Sequence, residues 1–358
     1  MKILFISLGC DKNLVDSEVM LGMLAENGYT LTDDETEADV IVINTCCFIH
    51  DAKEESIETI LEMAQYKEQN LKALVVAGCL SERYKDEILK EIPEIDAVLG
   101  TTSYDSIVEA VNQALAGKTY EHYESVDYLP SHPKVKRMIT TGSHMAYLKI
   151  AEGCDKRCTY CIIPKIRGHF RSVPMEVLLE EARQLAAEGV KELVLVAQEV
   201  TLYGKDLTGK KELPNLLRRL CRIEGIEWIR LLYCYPEEVT DELIEVMKTE
   251  EKVCNYIDMP IQHSENRILQ RMGRRTSRED LTAIIGKLRK EIPDIAIRTT
   301  LISGFPGETW EDHEGLFDFV KECRFERLGV FTYSQEEDTP AAEFEDQIPE
   351  EIKEQRRD

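Results

Sequence analysis

The sequence predicts an α/β protein in two parts: an N-terminal open parallel α/β sheet over residues 1–117, then a partial (βα)6 TIM-like barrel over residues 144–340. Three observations predict it. Short runs rich in Val and Ile alternate with helical periodicity from the first residues onward. The alternation lapses over 118–143, where Pro130, Pro133 and mixed charges read as a linker. It then resumes for six further strand–helix units.

In the first part, ILFISL (3–8), DVIVIN (39–44) and ALVVAG (73–78) read as buried strands. Parallel strands are continuously apolar because helices cover both faces of their sheet. Helical patterns lie near 16–27, 51–69, 81–91 and 103–116. Asp16 or Ser17 can cap the first, and Gly28 can end it. In the second part the strands are MAYLKIA (145–151), ELVLVAQ (192–198), EWIRLLY (227–233), NYIDMPI (255–261), IAIRTTLIS (295–303) and RLGVFTY (327–333). Helical patterns such as 175–189 and 310–323 fall between them. Residues 341–358 end in EEIKEQRRD, a charged helical pattern with no stop signal, and read as the start of a truncated segment.

A chain of 358 residues suits two domains, and 43% hydrophobic content suits globular cores. No run reaches the roughly 18 to 20 apolar residues that a membrane span needs. The apolar part of MKILFISLGCDKN is too short for the centre of a signal peptide, which predicts a cytoplasmic protein. Eleven cysteines, an odd number, in a long chain without an export signal point to thiolate ligands or buried thiols rather than disulfides. The net charge of −24 opposes nucleic acid, whose binding depends on Lys and Arg neutralising phosphates. It favours a basic partner. Local basic groups stand against that trend: Lys134, Lys136 and Arg137; Lys165, Arg167 and Arg171; and Arg267, Arg271, Arg274, Arg275 and Arg278. Each of these reads equally as a solvated face.

CDKRCTYC (154–161) sets Cys154, Cys158 and Cys161 in a Cys-x3-Cys-x2-Cys pattern directly after a strand. Three thiolates on one tight loop can hold three irons of a cubane cluster and leave the fourth iron open to an external ligand. Zinc also takes thiolates, but a structural site wants four ligands. The next cysteine, Cys221, is sixty residues on, which leaves His169 as the alternative fourth ligand. With its spacing, its strand and the aromatic Tyr160 before the third cysteine, the segment resembles the radical SAM superfamily. The resemblance implies a [4Fe–4S] cluster whose open iron binds S-adenosylmethionine (SAM), and one-electron cleavage to a 5′-deoxyadenosyl radical.

Ligands of a parallel barrel gather at the C-terminal strand ends. There the second barrel strand runs into Gln198 and Glu199, where the superfamily has an acidic motif near the SAM amino group. The fifth ends in ISGFPGET, with Ser303, Gly304, Gly307 and Glu308, whose glycines would admit a cofactor close to backbone. A purely structural turn explains GFPGE almost as well. Gln262 and His263 leave the fourth strand at the same face, and a solitary His is more often structural than catalytic.

Cys10, Cys46 and Cys79 are far apart in sequence, yet each stands just past a predicted parallel strand. Neighbouring parallel strands bring such ends to one rim, where open α/β sheets bind ligands. Three thiols there could hold a second cluster; the alternative is coincidence, since Cys is common in buried strands. Cys47 adjoins Cys46 but on an extended chain points to the opposite face. Cys221, Cys234, Cys254 and Cys323 read as packing residues.

Together SLGCDKNLVDSE (7–18), NTC (44–46), AGC (77–79) and AEGCDKRCTYCIIPKIRGHFRS (151–172) resemble the methylthiotransferases, radical SAM enzymes with an added N-terminal cluster domain. The resemblance implies that Cys10, Cys46 and Cys79 hold an auxiliary [4Fe–4S] cluster, and that the reductant is a flavodoxin or ferredoxin. Two substrate classes occur in the family, a tRNA adenosine and a ribosomal protein. DKNLVDSE (11–18), MPIQHSENRILQRMGR (259–274) and RTTLISGFPGET (298–309) look like the branch that modifies the β-carbon of an aspartate in protein twelve of the small subunit. That protein is basic, so the acidic charge independently favours it over tRNA. Family members normally end in a small β-barrel called TRAM, and this chain stops before it.

Overall fold

The computed structural model describes residues 1–130 and 136–358 and divides them between two compact units. One holds Met1–Gly142 with Ile163–Arg171; the other holds Ser143–Ile162 with Ser172–Asp358.

The first unit is built on a six-stranded, all-parallel sheet. Its strands are β1 (Lys2–Ser7), β2 (Thr30–Leu31), β3 (Val40–Thr45), β4 (Ala73–Gly78), β5 (Ala97–Leu99) and β6 (Tyr120–His122), in the order β2-β1-β3-β4-β5-β6. The central strands β3 and β4 are buried along their whole length, as the unbroken Val and Ile runs require. On one face Ile3, Val42, Val75 and Leu99 pack against Met20, Leu24, Ile107 and Val111 of the covering helices. Residues 118–143, expected as linker, begin by contributing β6 at the sheet edge. Lys134 and Pro133 lie outside the described residues.

Helix α1 runs from Asp11 to Glu26, five residues earlier than the pattern suggests, with Cys10 as its N-cap residue. Asp16 and Ser17 look like caps because short polar side chains compete for backbone at helix starts. Here they are interior and buried, and their polar groups bond across the fold instead. The helix ends as expected at Gly28, which has φ +84°. Helix α2 spans His50–Ala64. The pattern at 81–91 breaks into α3 (Cys79–Arg83) and a separate turn at Ile88–Glu91.

The second unit carries β7 (Met145–Lys149) and the two-residue strand β8 (Ala151–Glu152) before the cysteine loop, and resumes after it at Ser172, the second residue of β9 (Arg171–Ser172). Its main sheet continues with β10 (Glu192–Val196), β11 (Trp228–Leu231), β12 (Val253–Asp258), β13 (Ala296–Ser303) and β14 (Arg327–Thr332). The order β7-β10-β11-β12-β13-β14 follows the chain, and every pairing is parallel. This is the strand order of a (βα) barrel with six staves, with β7 and β14 as its edges. Leu328 and Phe331 on β14 are 42% and 55% exposed. Helices intervene as the periodicity predicts, including Met175–Ala187 and Trp310–Cys323, the latter begun by a Thr309–Asp312 capping box. A last helix, Glu350–Arg357, packs on the ends of β13 and β14.

Candidate metal centres and cofactor site

In the first unit the ends of β1, β3 and β4 are level: Ser7 pairs with Asn44, Asn44 with Ala77 and Thr45 with Gly78. Cys46 and Cys79 follow these ends directly, and Cys10 comes three residues after Ser7. Two glycines make the approach possible. Gly9 has φ +87°, and a Cβ there would lie 2.6 Å from Cys46 Cβ and 2.9 Å from Cys46 Sγ. Gly78 has φ +96°, and its Cβ would fall 2.3 Å from Asn44 Oδ1. Gly9→Ala is expected to cost about 1–2 kcal/mol from the left-handed conformation alone. Overlap with Cys46 would add roughly 1–3 kcal/mol. A lowered unfolding temperature together with reduced iron loading checks this.

The backbone around these cysteines is firmly held. Cys46 N donates to Ser56 Oγ on α2 at 3.0 Å, and that hydroxyl donates back to Cys46 O at 2.8 Å. Asn13 Nδ2 donates to Leu8 O (3.1 Å) and Thr45 O (2.9 Å), tying together the two segments that lead into Cys10 and Cys46. Cys47 Sγ donates to Cys79 O at 3.0 Å and so braces the third cysteine's backbone. Cys10 is exposed, while Cys46 and Cys79 are buried. Burial, with the neighbouring Cys79 adding to it, pushes the Cys46 thiol up to about 12. Such a thiol becomes a ligand when a cation repays the removal of its proton, which is what iron does.

The polar residues of DKNLVDSE turn inward. Asp16 Oδ2 accepts from Arg167 Nη1 at 3.0 Å, and Asn13 Oδ1 accepts from Arg167 Nη2. Arg167 Nη2 also lies 3.5 Å from Cys79 Sγ. Glu18 accepts from Arg137 Nε at 3.0 Å and from Thr140 N at 2.7 Å. Several of the basic residues are already paired: Arg137 and Arg167 are buried in ion pairs, and Arg271 pairs with Asp346 at 2.6 Å, while Lys165 and Arg275 are exposed.

In the second unit the triplet loop leaves β7 and β8 with Cys154 and Cys158 buried and Cys161 half-buried. Arg157 sits in it at φ +55°, a conformation that costs a branched-out side chain energy and that the surrounding contacts must enforce. They do so at Thr159: its N–H donates to Met272 O (2.9 Å), its hydroxyl to Arg271 O (2.8 Å), and its carbonyl accepts from Ala341 N (2.8 Å). The Tyr160 ring packs edge-on against Phe305, 6.5 Å between centroids. The Tyr235 hydroxyl stands 3.8 Å from Cys158 Sγ. Burial pushes the Cys154 thiol up to about 12. Among the described residues no three His, Cys, Asp or Glu side chains converge on a point as one ion would require. A cubane asks for something different, one thiolate on each of three separate irons. His169, the alternative zinc ligand, belongs to the other compact unit.

Beyond β10, Gln198 Nε2 donates to Glu152 Oε1 at 2.6 Å, while Gln198 Oε1 is buried with no partner among the described residues. Glu199 is fully buried; its Oε1 accepts from Thr201 N (2.9 Å) and the Thr201 hydroxyl, and its Oε2 has no hydrogen bond. Lys156 Nζ lies 3.9 Å from that oxygen but pairs more closely with Glu238, at 2.6 Å. Burial pushes Glu199 up to about 7 from an ordinary 4.5. The folded chain thus keeps a proton that the unfolded chain has released, so stability is lost as pH rises from about 4.5 through about 7. Glu199→Gln is expected to flatten that decline, as read by denaturant unfolding over a pH series. Arg274 is buried over the Tyr235 ring, 4.3 Å from its centroid, and its Nε and Nη1 have no partner among the described residues.

The remaining expected cofactor residues divide. Gln262 takes φ +71° and stands opposite Leu301; its N–H donates to Thr300 O at 2.9 Å and its carbonyl accepts from Ile302 N at 2.8 Å. His263 is buried; its Nδ1 accepts from Glu265 N at 3.0 Å, and its Nε2 stands 3.6 Å from Glu308 Oε2. Burial raises Glu308, but His263 and Arg356 outweigh it and hold the carboxyl below its usual range. That carboxylate also accepts from Gly304 N (2.9 Å) and Arg356 (2.8 Å), so GFPGE is a turn closed on its own glutamate. Ser303 Oγ donates to Lys353 O at 3.1 Å, and a Cβ on Gly304 would meet Lys353 Cγ at 2.4 Å. The side of this turn expected to face cofactor is filled there by the last helix. Sequence reasoning missed Asn13, Asp16, Lys156, Tyr235 and the inward role of Arg167. Only the unusual density of polar residues in DKNLVDSE hinted at the first two.

A sequence-ordered parallel sheet of six strands, whose first strand runs into a Cys-x3-Cys-x2-Cys loop, defines a radical SAM protein. Residues 148–320 match the radical SAM superfamily, and residues 2–100 match the family described as uncharacterized protein family UPF0004. Ribosomal protein uS12 methylthiotransferase RimO of Lachnoclostridium phytofermentans is 67% identical over 99% of this chain and 80% of its own length. The protein of that name in Acetivibrio thermocellus is 54% identical over the same shares. The chain belongs to this RimO family. Among solved structures, the radical SAM methyltransferase TsrM of Kitasatospora setae, with cobalamin and a [4Fe–4S] cluster bound, superposes with a TM-score of 0.68. It covers 95% of this chain and 73% of its own at 14% identity, a likeness of fold alone.

Proposed function

We propose that this chain adds a methylthio group to the β-carbon of an aspartate in ribosomal protein uS12, as a radical SAM methylthiotransferase holding two [4Fe–4S] clusters. What carries the reading is the gathering of Cys10, Cys46 and Cys79 at level strand ends, in a RimO-family chain that also bears the Cys154/Cys158/Cys161 loop. Residues 1–117 are then the auxiliary-cluster domain and 144–340 the radical SAM domain. With the groups bound, one cluster supplies the electron that cleaves SAM and the other carries the sulfur to be methylated and delivered.

The protein's own part is to hold and orient. Among the described residues Gln198 Oε1 and Glu199 Oε2 are buried acceptors without a hydrogen-bond donor, which suits the ammonium of SAM. Glu199 holds a proton near neutrality and would release it on meeting that cation. Arg274 offers two buried N–H groups to a carboxylate. Tyr160, Gln262 and His263 would line the same site, while Ser303 and Gly304 are taken up by Lys353 of the last helix. The substrate is a basic ribosomal protein, free or on the small subunit, attracted by the charge of −24 that disfavours tRNA. The electron donor is a flavodoxin or ferredoxin, and the setting is the cytoplasm; among the described residues no helix is long and apolar enough to cross a membrane.

The test offers reconstituted protein, SAM and a reductant to uS12 and to tRNA separately, and follows methylthio incorporation by mass spectrometry. Modified uS12 is expected. Modification of tRNA alone would overturn the substrate assignment. An intact cluster that yields no 5′-deoxyadenosine would point instead to an iron–sulfur redox sensor.

A further inference from the structure

We infer that Arg167 is a positioning residue for the auxiliary cluster: it donates a hydrogen bond to the Cys79 sulfur and thereby raises that cluster's reduction potential. The inference rests on the two-cluster reading above.

Arg167 stands six residues after Cys161, in Ile163–Arg171, the short segment that belongs to the first unit. It is 2% exposed. Its fork is engaged at three points: Nη1 with Asp16 at 3.0 Å, Nη2 with Asn13 Oδ1 and, at 3.5 Å, with Cys79 Sγ. Asn13 in turn holds Leu8 O and Thr45 O, the backbone leading into Cys10 and Cys46. One buried network therefore touches the approach to two of the cysteines and the sulfur of the third.

A thiol at Cys79 can give its proton toward Asn13 Oδ1, which lies 3.8 Å away. A ligating thiolate has no proton to give, and the Arg167 N–H then faces a negative sulfur. Hydrogen bonds to cluster sulfurs and added positive charge favour the reduced, more negative cluster. Asp16 balances the charge of the guanidinium and cancels its longer-range effect, so the directed N–H···S bond is the part that remains. A lysine could keep the cation but not both arms of the fork.

A structural ion pair that merely fastens Ile163–Arg171 to α1 would also bury Arg167, so the test must read the cluster itself. In a Cys154→Ala/Cys158→Ala/Cys161→Ala background only auxiliary iron remains, and its midpoint is followed by an EPR-monitored redox titration. Arg167→Met/Asp16→Asn removes the donor and keeps the site neutral. The expected result is full loading, about four irons per chain, with a midpoint shifted to more negative potential. An unchanged midpoint in the loaded variant overturns the inference. Should that variant load no iron, Arg167→Lys decides: a fall in midpoint supports the inference and an unchanged midpoint overturns it. A parent background that holds no iron would instead remove the auxiliary cluster, and the two-cluster reading with it.

Discussion

Cys154→Ala is expected to lose about four irons per chain and all 5′-deoxyadenosine formation, whereas Cys10→Ala loses about four irons and still cleaves SAM. The asymmetry follows from where the thiols sit. Cys154 is buried on a loop whose geometry is set by Thr159, bound at three backbone or side-chain atoms, and by the Tyr160–Phe305 contact. No other described cysteine is on that loop besides Cys158 and Cys161. Two thiolates do not hold a cubane, so removal of one empties the site. Cys10 belongs to the first unit, at the N-cap of α1, and its loss leaves the triplet loop's own supports in place. Iron and sulfide content with product analysis on both variants checks the pair. Iron lost from Cys154→Ala only would eliminate the auxiliary site.

Asp16→Ala is expected to destabilise the first unit by about 3–5 kcal/mol, the cost of stranding a buried cation. For a unit of this size each kcal/mol lowers the unfolding temperature by roughly 2–4 °C, so a fall on the order of 10 °C is expected by calorimetry. Both side chains of the Asp16–Arg167 pair are nearly inaccessible to water, so solvent cannot take over the role of the lost carboxylate. Asp16→Asn combined with Arg167→Met should recover much of the loss, since replacing a whole buried pair is far cheaper than breaking it. A drop no larger than that of an average surface substitution would show the pair to be solvated.

Most strands were legible because parallel strands covered on both faces leave Val- and Ile-rich runs, as at 39–44 and 73–78. The short β5 and β6 were not, since three residues carry no period. Ile163–Arg171 reads as a continuation of the barrel but folds with the first unit. Nothing local encodes that; the segment is held by distant partners, among them Asp16 and Asn13, some 150 residues away, and Thr101 and Asp127. The position of α1 was misread for a related reason, because residues that look like caps are the anchors of this long-range contact. DKNLVDSE also changes meaning. It reads as a marker of substrate class, yet Asn13, Asp16, Ser17 and Glu18 are buried and bonded within the fold. They can mark a branch of the family without touching what that branch modifies. At the cofactor end, acidic residues after β10 could be anticipated from barrel logic, whereas the closure of Ser303 and Gly304 by Lys353 required the last helix in place.

The edge strand β14 bears on how the protein behaves at high concentration. Its outer row of backbone groups is accompanied by the exposed side chains of Leu328 and Phe331, with Phe317 also exposed on the helix before it. An apolar edge is a template for pairing between copies, and the charge of −24 opposes that pairing only while salt is low. Light scattering should therefore show association growing with ionic strength. Phe331→Lys, which places a charge on the edge and touches neither cysteine set, should suppress it.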